Sequence, residues 1–343
     1  MKKARESFGI FEYIIFAAAT IAVFFFCVCA GSVNVPLGDT LVAMWKAAVG
    51  QAVPDGMAKS IILYVRLPRV ICVALVGAAL SLCGCAMQGL LRNPLADGST
   101  LGVSAGASLG ACLALSFGVT VPGISGGGTT AMAMLFAFIS LVGVLALAYR
   151  LDYSLSTNTI ILLGVIFSMF MNSIISLVVT FSGEHVKSIM FWMMGSLSGA
   201  NYQNALSLTA SLIVFGGMLL ACAPELNAFA IGEDNARHIG VNVRRIKLLV
   251  LIAASALIGV CVSVGGTIGF VGLVIPHMTR LVTGPNHRRL LPASLFSGAI
   301  FLMLADLLGR VILKPLELPI GVVTSFIGSI VFVFIFYRSR RAA

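Results

Sequence analysis

RNPLADGSTLGVSAGASLG, residues 92–110, runs from a polar turn straight into a segment with glycine at every fourth position. Arg92, the Asn93-Pro94 dipeptide and Asp97 read as a connection between elements. Gly102, Gly106 and Gly110 then lay a small face along the helix that follows. Such a face is unusual in a water-soluble core but useful in lipid. There, close packing of small residues holds helices together, because lipid tails are as apolar as any side chain. One segment earlier, Gly77, Ser81, Cys85 and Gly89 repeat the spacing. Both stripes place their helices inside a membrane bundle.

Composition agrees. The chain has 343 residues, is 59% hydrophobic and only 10% charged, and its mean hydropathy is +1.07. Soluble domains carry roughly 25% charged residues. Apolar runs near the roughly 20 residues needed to cross a bilayer recur from end to end. They predict ten spans, near 8–30, 62–90, 99–117, 130–149, 157–181, 203–223, 246–264, 268–283, 291–313 and 319–337. The shorter ones suggest broken or half-buried helices. The fold class is all-α: one polytopic domain over residues 1–343, with no soluble module.

Lys2, Lys3 and Arg5 before the first apolar run also describe a signal peptide, and Val-x-Ala at Ala30 resembles a cleavage site. The run is longer than the roughly 7–15 residues of a signal core, so the span is expected to stay. Ten spans put both termini on one side. With that side inside, 15 Lys and Arg lie in the cytoplasm and 7 outside (Lys46, Lys59, Arg66, Arg69, Lys187, Arg310 and Lys314). That is the positive-inside bias. The net charge of +10 is then a matter of topology, and no nucleic-acid partner is needed.

Chemistry-bearing patterns are few. All eight cysteines fall in predicted spans with no C-x-x-C pair, and the four histidines show no ligand spacing, so neither a metal nor another cofactor is expected. No Walker loop occurs, and "GSLSGAN" at 195–201 resembles an ATPase signature only by chance, being outside the membrane. Asp306 stands out among intramembrane ionisable groups, with Arg310 one turn on and able to pair with it. Gln88 and Asn172 are polar but not titratable. Ion-coupled carriers usually use charged groups near the midplane, so the energy source is expected elsewhere. The longest inner connection, PELNAFAIGEDNARHIGVNVRR at 224–245, could receive it. Gly232 and Gly240 punctuate two short helical stretches there, and Glu233, Asp234 and Asn235 open the second, where acids and caps are favoured. An ordinary solvated loop is the alternative.

At this point the chain resembles a known family. "RLPR" (66–69), "GAALSLCGCAMQGLLRNPLADGSTLGVSAGA" (77–107), "FWMMGSLSG" (191–199), "LNAFAIGEDNARHIGVN" (226–242), "GTIGFVGLVIPHMTRLVTGPNHRRLLP" (266–292), "ADLLGR" (305–310) and "ELPIGVVTSFIGSIVF" (317–332) look like the FecCD-type permeases in the family's order. These are membrane subunits of binding-protein-dependent ABC importers for ferric siderophores, haem and cobalamin. Gly98 departs from the pattern, where the family usually has proline.

The resemblance implies a type II ABC importer permease in a bacterial plasma or inner membrane, with both termini cytoplasmic. It further implies a second copy of the chain, ATP-binding subunits below and an extracytoplasmic binding protein above. ATP hydrolysis would belong to the partner. In the 226–242 segment it assigns ATPase coupling to Leu226, Gly232, Glu233, Ala236, Gly240 and Val241. It assigns the cytoplasmic gate to Asn93 and Leu95 with Ser156 and Thr157, and binding-protein docking to Arg66, Arg69 and Arg310. The cargo it suggests is a ferric chelate or haem, with cobalamin as the alternative. A secondary carrier or a membrane enzyme would instead need clusters of charged groups that this sequence lacks.

Overall fold

The computed structural model describes residues 8–33, 35–51, 56, 59–121, 126–152 and 156–341. Lys2, Lys3 and Arg5, on which the orientation argument partly rests, lie outside them. The helices in chain order are α1 (Ile10–Cys29), α2 (Leu37–Ala48), α3 (Leu67–Leu91), α4 (Val103–Ser116), α5 (Gly127–Leu151), α6 (Thr157–Phe181) and α7 (Val186–Met193). They continue with α8 (Tyr202–Ser211), α9 (Gly217–Ala221), α10 (Ala223–Ala230), α11 (Glu233–His238), α12 (Val243–Gly265), α13 (Val271–Thr283), α14 (His287–Val311) and α15 (Ile320–Arg341). Wide π-helical turns at Ser60–Arg66 and Leu212–Gly216 extend α3 and join α8 to α9.

Every predicted span coincides with a helix or a helix pair. Among the described residues, seven have both the length and the hydropathy to cross a membrane, and Val103–Ser116 is a shorter apolar helix. The expectation of shortened helices holds for α4 and for α13, with 14 and 13 residues. Sequence reading missed α2. Its 12 residues are too few to span, so no long apolar run announces it.

Helix α3 is the hub. It is buried on almost every side from Pro68 to Leu91 and packs against α12, α13 and α14. The two small stripes do not meet each other. A Cβ on Gly77 would collide with the Gly298 carbonyl, and one on Gly298 with Ser81, so the α3 stripe seats α14. A Cβ on Gly106 would strike Ser140 and one on Gly110 the Met132 carbonyl, so the α4 stripe seats α5. The glycines thus bring backbones within reach of dispersion and Cα–H contacts that larger residues would prevent.

A polar graft fixes α13 to the hub. Pro276 lies inside α13 and has no N–H, which leaves the Gly272 carbonyl without its helical donor. Gln88 Nε2 donates to that oxygen at 3.1 Å and to the Leu273 carbonyl at 3.2 Å. Arg280 donates to Gln88 Oε1 at 3.4 Å. Helices α1 and α5 instead expose long apolar faces: Phe11, Ile14 and Phe138 are each more than half accessible. In lipid such faces cost nothing.

Candidate functional site

The segment singled out between the sixth and seventh spans folds as the two short helices α10 and α11. Gly232, at φ +115°, sits between them. Gly240, at φ +92°, closes α11 in a Schellman motif: Val241 N–H donates to the Ala236 carbonyl at 3.0 Å and Gly240 N–H to the Arg237 carbonyl at 3.0 Å. Leu226, Phe229 and Ala236 are completely buried and plug the pair onto the bundle. Asn227 finishes the attachment. Its Oδ1 accepts from His287 N–H at 2.8 Å and its Nδ2 donates to Asn286 Oδ1 at 2.8 Å.

Leu226 and Ala236 therefore act as foundations. The surfaces free to meet another protein are Ile231 and Ile239, exposed at 60% and 64%, with Asp234 and Arg237 beside them. Two isoleucines flanking a charged turn were a readable signal that the family motif overshadowed.

Beside α11 opens a cleft of about 590 Å³ lined by Leu91, Arg92, Ser156, Thr157, Asn158 and residues 232–235. It brings together three stretches far apart in sequence: the end of the hub helix, the start of α6 and the start of α11. Ser156 caps α6, its Oγ accepting from Thr159 N–H at 3.4 Å, and its own N–H donates to Asp152 Oδ2 at 3.0 Å. Thr157 Oγ1 donates to Glu233 Oε1 at 3.3 Å. Glu233 in turn holds Lys247 Nζ through both oxygens, at 2.7 and 2.8 Å.

Arg92 ends α3 in a left-handed conformation, φ +50°, which swings the chain into the Asn-Pro turn. Asn93 Oδ1 accepts from Leu95 N–H at 2.9 Å, so it braces its own turn. Leu95 is half exposed.

The three arginines assigned to docking lie at the other end of the bundle. Arg69 lies in the first turn of α3 and Arg92 follows its close, so about 34 Å of helix separates them. The charge count puts these arginines on the outer side, yet they are not free surface charges. Arg66, Arg69 and Arg310 are 5%, 7% and 3% exposed, and their guanidiniums are occupied within the chain. Arg69 grips Asp306 Oδ1 from Nε at 3.0 Å and Nη2 at 2.9 Å, and reaches Glu317 Oε2 from Nη1 at 2.7 Å. Arg310 Nε lies 2.8 Å from Asp306 Oδ2 as an ion pair, the pairing its spacing predicts. Arg310 also donates to the carbonyls of Ala30 and Cys27, and Arg66 to those of Val28, Cys29 and Val33. Guanidinium, with five donors, suits this collecting of chain ends.

A solved structure, described as an inward-facing conformation of a metal-chelate type ABC transporter, matches with a TM-score of 0.77 at 32% identity, covering 88% of this chain and 98% of that one. A hub-and-stripe bundle with a docked helix pair is therefore the permease of an ABC transporter. More narrowly, the chain belongs to the FecCD transport family, whose model matches residues 19–338. It is 43% identical over 313 residues to the uncharacterized ABC transporter permease protein YvrB of Bacillus subtilis, covering 91% of this chain and 89% of that one. It is 37% identical to the vitamin B12 import system permease protein BtuC of Klebsiella pneumoniae, over 91% and 89%. It is 32% identical to the molybdate import system permease protein MolB of Haemophilus influenzae, over 90% of each chain.

Proposed function

We propose that this chain is the membrane subunit of an ATP-driven importer that moves a metal-bearing chelate into the bacterial cytoplasm. A ferric siderophore or haem is the cargo suggested by the family resemblance, and the vitamin B12 relative sets cobalamin beside them. The chain works as a pair of identical subunits, with an ATPase seated on α10 and α11 and a binding protein on the opposite face. The cleft that joins residues 91–92, 156–158 and 232–235 carries this reading. A motor pushing on α11 would then act beside the segments that would open, which supports this reading. Both termini then lie on the motor's side.

Cargo would pass along α6, whose exposed face alternates apolar with amide and hydroxyl groups at Met169, Asn172, Ser176 and Thr180. Weakly interacting groups let a bulky solute slide without trapping it. Arg66, Arg69 and Arg310 serve docking by shaping the rim, since their charges are spent internally, and the exposed Lys314 presents charge to the partner.

Reconstitution in vesicles with the cognate ATPase and binding protein tests the proposal. ATP-dependent uptake of the ligand that copurifies with the binding protein is expected. Uptake driven by an ion gradient without ATP would replace the importer with a secondary carrier.

A further inference from the structure

Outside the arginine cluster, Lys247 is the one buried Lys, Arg, Asp or Glu side chain among the described residues, and its exposure is zero. It stands in the opening turns of α12, the end of a helix that disfavours a cation. Burial adds the cost of removing an ammonium from water, which only a close, well-made pair offsets. Glu233 supplies that pair, and supplies it from another element. Lys247 belongs to the body of the bundle, because α12 packs on α3 and α5. Glu233 is the first residue of α11, on the surface proposed to take the ATPase. The same carboxylate receives the Thr157 hydroxyl from the first residue of α6, at the proposed gate.

We infer that Lys247, Glu233 and Thr157 form the linkage by which a displacement of α11 is passed to the gate end of α6, with Lys247 as the positioning residue that aims the carboxylate. This deepens the importer reading and rests on it. The chemistry suits the task. Lys247 engages both carboxylate oxygens, so Glu233 cannot swing away alone, while the single bond from Thr157 is the weaker member and can be exchanged during a cycle. A hydrogen bond to a charged acceptor is stronger than a neutral one, yet Glu233 is a quarter exposed and accessible to the partner. A simple staple holding α11 on α12 would need only the lysine pair and would give Thr157 nothing to do.

Thr157→Val separates the two, since it keeps size and leaves the lysine pair intact. In the complete complex with ATPase and binding protein, uptake per ATP hydrolysed is expected to fall about tenfold, the order of one charge-assisted hydrogen bond, and Thr157→Ser is expected to restore it. The double variant Lys247→Met with Glu233→Gln leaves no buried charge stranded, and should lower the same ratio. A parental ratio in Thr157→Val, or a loss that serine does not rescue, overturns the linkage while leaving the importer standing. A parent complex with no ATP-dependent uptake at all removes the importer reading, and the linkage with it.

Discussion

Gln88 and Asp306 show what a single polar side chain does in this bundle. Gln88→Leu would leave the Gly272 carbonyl, already without a helical donor because of Pro276, unpaired in a buried place. The expected cost is about 1–3 kcal/mol, read as an earlier unfolding midpoint in a denaturant titration of the detergent-solubilised protein. Asp306 is the sharper case. Asp306→Asn strands Arg69 and Arg310 with one neutral acceptor between them, and breaking a buried pair in this way costs about 3–5 kcal/mol. Glu317 also meets Arg69, but its side chain is 32% exposed. Glu317→Gln should therefore cost no more than about 1 kcal/mol. Equal shifts in the two variants would mean that burial does not rank these contacts.

At the scale of elements, α10 and α11 owe their shape to two glycines and their seat to buried side chains. Gly240 sits at φ +92° with no atom close enough to obstruct a Cβ. Gly240→Val therefore strains the backbone without a clash, since a β-branched residue is a poor occupant of positive φ. Gly232, at φ +115°, is equally intolerant. Either substitution is expected to loosen α11 while the spans stay folded, so ATP-dependent uptake falls with little change in the yield of membrane-inserted protein. Unaltered uptake in reconstituted vesicles would show that this helix pair transmits nothing. The small stripes carry the opposite prediction. Gly106→Leu meets Ser140 and the Phe136 carbonyl on α5, and overpacking of about 1–3 kcal/mol or more should appear as lost folded yield.

For the whole molecule, the proposed gate and the proposed docking face lie at opposite ends of the bundle. Leu95 presents bulk at the cleft end, and Asn93 keeps its turn closed. Asn93→Ala together with Leu95→Ala is expected to raise the passive leak of small solutes through the assembled complex, assayed in loaded vesicles. A leak equal to the parent's would move the closure elsewhere. At the far end, reversing Arg66 and Arg69 would set one carboxylate beside Asp306 and Glu317 and another against the carbonyls of Val28, Cys29 and Val33, so it would damage folding before it tested docking. Lys314→Glu is the cleaner probe. It should weaken binding-protein association modestly at low ionic strength and scarcely at high, because exposed charges act through a screened field.

Hydropathy and spacing were enough to predict the ten helical segments, the small-faced helices and the glycine-broken pair, because each depends on neighbours within a few turns. Lipid makes that local record unusually direct: a segment must be apolar and satisfy its own backbone wherever it crosses. Asp306 with Arg310 was legible for the same reason, being one turn apart. Partners across the bundle were not. Nothing in the spacing of Gly77 names α14, and nothing in Gly106 names α5. The burial of the arginines was not legible because their acceptors, Glu317 and the carbonyls of residues 27–33, lie far along the chain. Likewise, Thr157, Glu233 and Lys247 meet only after α6, α11 and α12 have packed. The energy of a buried charge depends on what stands within a few ångströms of it in space, and chain order does not record that.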